Sequence, residues 1–122
     1  MLTFTVEGRP VPWQRRVPYK GRYLTPKRSR AYKERVGLAA LHAINRQQMA
    51  WKPLTVRVLV SLRVYPPDRR HGDVDNYEKQ IGDALQGIAY VNDKQVRWSP
   101  STTIEVDRER PRVEVEIREA GE

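Results

Sequence analysis

Residues 54–65, LTVRVLVSLRVY, alternate without a break: Leu54, Val56, Val58, Val60, Leu62 and Val64 on one side, Thr55, Arg57, Leu59, Ser61 and Arg63 on the other. A strict period of two sends successive side chains to opposite faces of a strand, and six aliphatic residues on one face demand a core beneath them. Such a segment belongs at the centre of a sheet, so the rest of the chain must supply its neighbours. Pro66 and Pro67 stop it. The same alternation recurs in LTFTVE (2–7), TTIEVDRE (102–109) and RVEVEIRE (112–119). Turn-forming residues between Asp107 and Pro111 predict that the last two pair as a hairpin.

Two segments carry helical spacing instead. Residues 29–48 read as a helix with Ser29 as its N-cap and an apolar stripe of Tyr32, Val36, Ala40 (or Ala39) and Ile44. A second helix is predicted from Asp75 or Asn76 to Gln86, with Tyr77, Ile81, Ala84 and Leu85 inward and Gly87 just past its end. Residues 88–96 read as a loop or short strand. The order β-α-β-α-β-β gives an α+β fold, one domain over residues 1–122, with a mixed sheet of four to five strands and two helices. A chain of 122 residues is large enough for one real core.

The net charge of +8 is unevenly placed. The first 35 residues hold ten Arg and Lys against Glu7 and Glu34, whereas basic and acidic residues balance over the remainder. A surface carrying that excess suits a polyanion, although a solvated basic face would look the same in composition. Within it, residues 9–28 contain four prolines, and VPYKGRYLT looks like a short hairpin turning at Lys20-Gly21. Trp13, Tyr19 and Tyr23 lie among Arg15, Arg16, Lys20, Arg22, Lys27 and Arg28, a combination suited to phosphate contacts beside stacking, or to pinning a loop on the core. Cysteine is absent, so a disulfide framework and a thiolate metal site are excluded. With no long apolar run and no signal-peptide pattern at the start, a soluble, cytoplasmic protein without membrane contact is expected.

Against this basic background, HGDVDNYEK (71–79) sets Asp73 and Asp75 directly after Arg69 and Arg70. Ordinary helix electrostatics explains much of it: Asp75 as a cap, Asp75–Lys79 and Lys79–Asp83 as pairs four residues apart, Asp93 as a turn residue. Asp73 has no part in that account. Carboxylates beside a phosphate-binding surface repel the phosphate unless a divalent cation lies between them, and oxygen-only donors are what Mg²⁺ prefers. His71 and His42 read as solvated or packing histidines.

The stretch GDVDNYEKQIGDALQGIAYVNDKQV, residues 72–96, resembles the signature of RusA-type Holliday junction resolvases: D-x-D-N, a lysine three residues on, D-A-L, a glycine, and an acidic turn followed by Q-V. The resemblance implies a homodimeric endodeoxyribonuclease that binds branched, four-way DNA and makes paired symmetric nicks with Mg²⁺ or Mn²⁺, without an organic cofactor. It further implies that Asp73, Asp75 and Asp93 are metal-binding catalytic carboxylates and that Lys79 is the catalytic-site lysine. Arg69 and Arg70 join the basic residues of the first third as DNA contacts. Asp83 matches the D of D-A-L and is expected to pair with Lys79. Asn92 stands where some members carry an aspartate, which bears on a second metal. Two other readings stay open on sequence: a non-catalytic nucleic-acid-binding module, and a metal-dependent nuclease for another branched DNA.

Overall fold

The computed structural model describes residues 1–48 and 50–120. Among the described residues, seven strands and two helices follow in the order β1 (Leu2–Glu7), β2 (Val17–Tyr19), β3 (Arg22–Leu24), α1 (Lys27–Arg46), β4 (Val58–Tyr65), α2 (Val74–Leu85), β5 (Val96–Trp98), β6 (Thr103–Ile104) and β7 (Arg112–Glu119), with a 3₁₀ turn at Asp93–Gln95. The fold is α+β, as expected. Its main sheet runs β1-β7-β4 and then β5 and β6 in succession along the far edge of β4; β2 and β3 form a separate hairpin. β1 and β4 flank β7 antiparallel, while β5 and β6 run parallel to β4, making the sheet mixed.

The alternating segments bury one face. Leu2, Phe4 and Val6 of β1, Val58, Val60, Leu62 and Val64 of β4, and Val113, Val115 and Ile117 of β7 join the helix residues Tyr32, Val36, Ala40, Ile44, Tyr77, Ile81 and Leu85 in one core. Each such side chain taken from water contributes on the order of 1.5–3 kcal/mol before its entropy cost. The opposite face carries Thr3, Thr5, Ser61, Arg63, Glu114, Glu116 and Arg118, which is why the strands alternate instead of being apolar throughout.

Four expectations are corrected. The strand starts at Val58, not at Leu54: the Leu54 N–H donates to the Ala89 oxygen and its carbonyl accepts from Val91, so residues 54–56 are committed to the loop after α2. Val56, in phase with the buried face, is 48% exposed. Ser29 does not cap α1; Pro26 holds the cap position, and Ser29 is buried in the first turn. Preset φ makes proline suitable at a helix start, where a missing N–H costs nothing. α2 begins at Val74, one residue before the expected start, with Asp73 as its N-cap residue. Finally, β6 and β7 do not pair. They lie on opposite edges of β4, and the Asp107–Pro111 turn carries the chain across its end. The carbonyls of Val64 and Pro66 accept from Glu105 and Asp107, so this segment's hydrogen bonds go to β4 rather than to β7.

The hairpin expectation at Lys20-Gly21 holds. Both residues have positive φ, 47° and 79°, as a two-residue type I′ turn requires. All six strand residues of this hairpin are exposed.

Candidate functional site

α2 places Asp75, Glu78, Lys79, Gly82 and Asp83 along one flank, because residues three and four apart on a helix stack on one side. That flank faces Val96 and Trp98 of β5 and Asp93 of the 3₁₀ turn across a cleft of about 300 Å³. Gly82 allows the close approach: a Cβ there would lie 3.1 Å from the Trp98 ring. The Tyr90 hydroxyl, fully buried, donates to the Gly82 carbonyl at 2.6 Å and fixes the floor.

The acidic side chains are strung along this cleft. Asp75 and Asp83 stand eight residues apart, about 12 Å of helical rise. Glu78 stays near the Asp75 end, where burial and then the Asp75 carboxylate push its carboxyl above the ordinary value. Asp93 lies at the other end, its backbone N–H donating to Gln86 Oε1 at 3.0 Å. Burial raises the Tyr90 phenol, and Asp93 and Asp83 raise it further, which places both carboxylates at that end. Among the described residues, no three acidic or histidine side chains stand together closely enough to share one metal ion. Asp73 lies outside the cleft lining, exposed, at the N-cap of α2, and its carboxylate makes no capping hydrogen bond. In kind, the donors suit a hard divalent cation: they are carboxylate oxygens open to water.

The basic arm, residues 9–16 between β1 and β2, docks on the start of α2. Arg9 forms an ion pair with Asp68 at 3.6 Å and donates to the Arg70 carbonyl at 3.3 Å. Pro12 packs on Gly72 so tightly that a Cβ at that glycine would lie 2.8 Å from the proline ring. The Trp13 N–H donates to the Asn76 carbonyl at 2.9 Å, and the Gly72 N–H to the Tyr77 hydroxyl at 3.0 Å. Arg9 and Arg28 both bear on the Tyr77 phenol, so the start of α1 lies close as well. Arg15, Arg16, Lys20, Arg22, Lys27, Arg28, Arg69 and Arg70 are all exposed.

Two expected pairings do not form. Asp83 bonds Lys33 of α1 at 3.6 Å instead of Lys79, because α1 brings that lysine across the helix seam. The Lys79 ammonium lies over the Trp13 ring. Asn92, the departure noted in sequence, caps the 3₁₀ turn: its Oδ1 accepts from the Lys94 N–H at 2.9 Å while Gln95 Oε1 accepts from the Asn92 N–H at 2.8 Å. Gln95 Nε2 also donates to the carbonyls of Leu54 and Val56, each at 2.8 Å, so the Q of Q-V pins the turn to the segment before β4.

Among known families, the model described as Endodeoxyribonuclease RusA matches residues 7–118. The chain belongs to the RusA endodeoxyribonuclease family. No curated protein matches it. The RusA match spans both the basic arm and the acidic helix, the two parts that the fold brings into contact. Within this RusA domain, the site residues not singled out in the sequence are Glu78 and Trp98. Glu78 could have been found as the residue one turn after Asp75 on the same flank; nothing local marks Trp98, which reaches the cleft only through the pairing of β5 with β4.

Proposed function

We propose that this RusA-family chain is a Mg²⁺- or Mn²⁺-dependent endonuclease that resolves four-way DNA junctions by paired symmetric cuts, in DNA recombination and repair. The observation that carries the reading is the contact between a basic arm and a carboxylate-lined cleft within a family of endodeoxyribonucleases. By the family resemblance Asp73, Asp75 and Asp93 would hold the cation. Asp73 stands outside the cleft and Asp75 and Asp93 at its opposite ends, so these carboxylates would have to be drawn together around it. Once bound, it would supply Lewis acidity at a phosphodiester and an activated water.

The protein's own residues supply the rest. Lys79, in the cleft wall, offers a positive charge to the scissile phosphate, where negative charge grows in the transition state. Arg15, Arg16, Arg69 and Arg70, with Lys27 and Arg28, contact flanking phosphates. Lys20 and Arg22 extend those contacts from the hairpin, with Tyr19 and Tyr23, 50% and 70% exposed, available for stacking. A two-fold homodimer fits the near two-fold symmetry of a four-way junction and the need for two opposed cuts. The setting would be the cytoplasm; none of the described helices is long and apolar enough to cross a membrane.

The test is incubation with a mobile synthetic four-way junction with and without Mg²⁺, mapping nicks on all four strands. Paired, symmetric nicks that vanish with EDTA are expected. Nicking of forks or flaps in preference to junctions would reassign the substrate, and activity indifferent to EDTA would remove the metal.

A further inference from the structure

The Lys79 ammonium nitrogen lies 3.7 Å from the centroid of the Trp13 indole ring. Trp13 is itself anchored to α2. Its backbone N–H donates to the Asn76 carbonyl, one turn before Lys79, and Pro12 beside it is seated on Gly72. Asp75, Glu78 and Asp83 share the cleft wall with Lys79, yet among the described residues none forms a salt bridge with it. An indole face, not a carboxylate, therefore sets where this ammonium rests.

The distinction matters chemically. A carboxylate would hold the ammonium by cancelling its charge and would compete with an incoming phosphate. The negative face of an aromatic ring holds a cation through its quadrupole and adds no net charge. The geometry points to Trp13 as a positioning residue for Lys79: it keeps the ammonium at the cleft wall with its charge available to the scissile phosphate. The inference rests on the reading of Lys79 as the catalytic-site lysine. It also gives a residue of the basic arm a role in the chemical step as well as in the shape of the DNA-facing surface.

The experiment measures single-turnover cleavage of a synthetic four-way junction in Mg²⁺, alongside junction affinity in EDTA. Trp13→Leu should slow cleavage by about tenfold with affinity unchanged within about twofold, while Trp13→Phe should keep most of the rate. Because Trp13→Leu could disturb the arm, protein carrying mono-, di- and trifluorinated tryptophan provides the second measurement. Fluorination drains the ring's negative face with little change of shape, so the rate should fall stepwise in the wild-type sequence and stay flat in Trp13→Phe. Wild-type cleavage by Trp13→Leu, equal loss in the Leu and Phe variants, or a rate insensitive to fluorination would overturn the role of Trp13. Lys79→Gln separates the two readings: wild-type cutting by that variant overturns the catalytic role of Lys79 itself, whereas an inactive Lys79→Gln beside a fully active Trp13→Leu overturns Trp13 alone.

Discussion

Ser29 of α1 and Gln80 of α2 are both fully buried and hydrogen-bond one another across the helix seam. Gln80 Nε2 donates to Ser29 Oγ at 2.9 Å and to the Ser29 carbonyl at 3.2 Å, and the Ser29 hydroxyl lies 3.1 Å from Gln80 Oε1. A polar pair inside an apolar seam locks the register of α2, and hence of neighbouring Lys79, against α1. Gln80→Leu strands the Ser29 groups and should cost about 1–3 kcal/mol in denaturant unfolding. Adding Ser29→Ala should recover part of that loss. A single variant as stable as wild type would show that the pair does not secure the seam.

Asp75 lies in the cleft and Asp73 outside it, although the two are two residues apart. Asp75→Asn should retain junction binding in EDTA and lose Mg²⁺-dependent cleavage by about 10²-fold or more. Asp73→Asn should also reduce cleavage if its carboxylate joins the cation as proposed; it makes no capping bond that would hold it elsewhere. Helix stability should be unaffected by that substitution, so a lowered Tm in Asp73→Asn would point to a structural cap instead.

Arg15, Arg16, Lys20, Arg22, Lys27, Arg28, Arg69 and Arg70, all exposed, predict strongly salt-dependent binding. If a dimer neutralises about 6–10 phosphates, junction affinity should fall by about 10³–10⁵ between roughly 50 and 200 mM salt. Arg15→Ala with Arg16→Ala should make that dependence shallower in a fluorescence-anisotropy titration. A slope unchanged by the pair would place the arginines away from the DNA.

The turn that carries the chain across β4 is held by charge. Arg112 bonds Asp107 at 2.8 Å and Glu114 at 3.1 Å, while Asp107 Oδ1 accepts from the Glu109 and Arg110 N–H groups. The Arg112 hydrogen bond holds the Asp107 carboxyl below its ordinary value of 3.8. A carboxyl lowered by folding contributes stability above its unfolded value and loses it as the pH falls through the folded one. Asp107→Asn keeps an oxygen for the turn and removes the charge. It should therefore be less stable than wild type at neutral pH, with the gap closing below about pH 3.8 in thermal melts.

Local pattern was legible where one residue's neighbours settle its state. The alternation of β1, β4 and β7, the Tyr32-Val36-Ala40-Ile44 stripe, Gly87 past α2 and the Lys20-Gly21 turn all came from spacing. What escaped depends on contacts distant in sequence. Residues 54–57 have the same alternation as β4, but hydrogen bonds from Gln95 and Val91 bind 54 and 56 to the loop, and no local feature announces that. β6 and β7 are separated because each pairs with a different edge of β4. In the site, the cleft residues of α2 followed from helical spacing, whereas the partners of Lys79 and Asp83, Trp13 and Lys33, come from another arm and another helix.

The β2–β3 hairpin stands clear of the core, with every strand residue exposed and a tight turn that closes on itself. Substitutions on its surface therefore leave the buried packing of the sheet and helices untouched. If Lys20 and Arg22 contact DNA as proposed, selection can rewrite this finger residue by residue and alter those contacts while the buried core stays as it is. For an engineer, it is a graft point: exchanging residues 17–24 between relatives should leave the fold intact and, on the proposed DNA contacts, shift substrate preference.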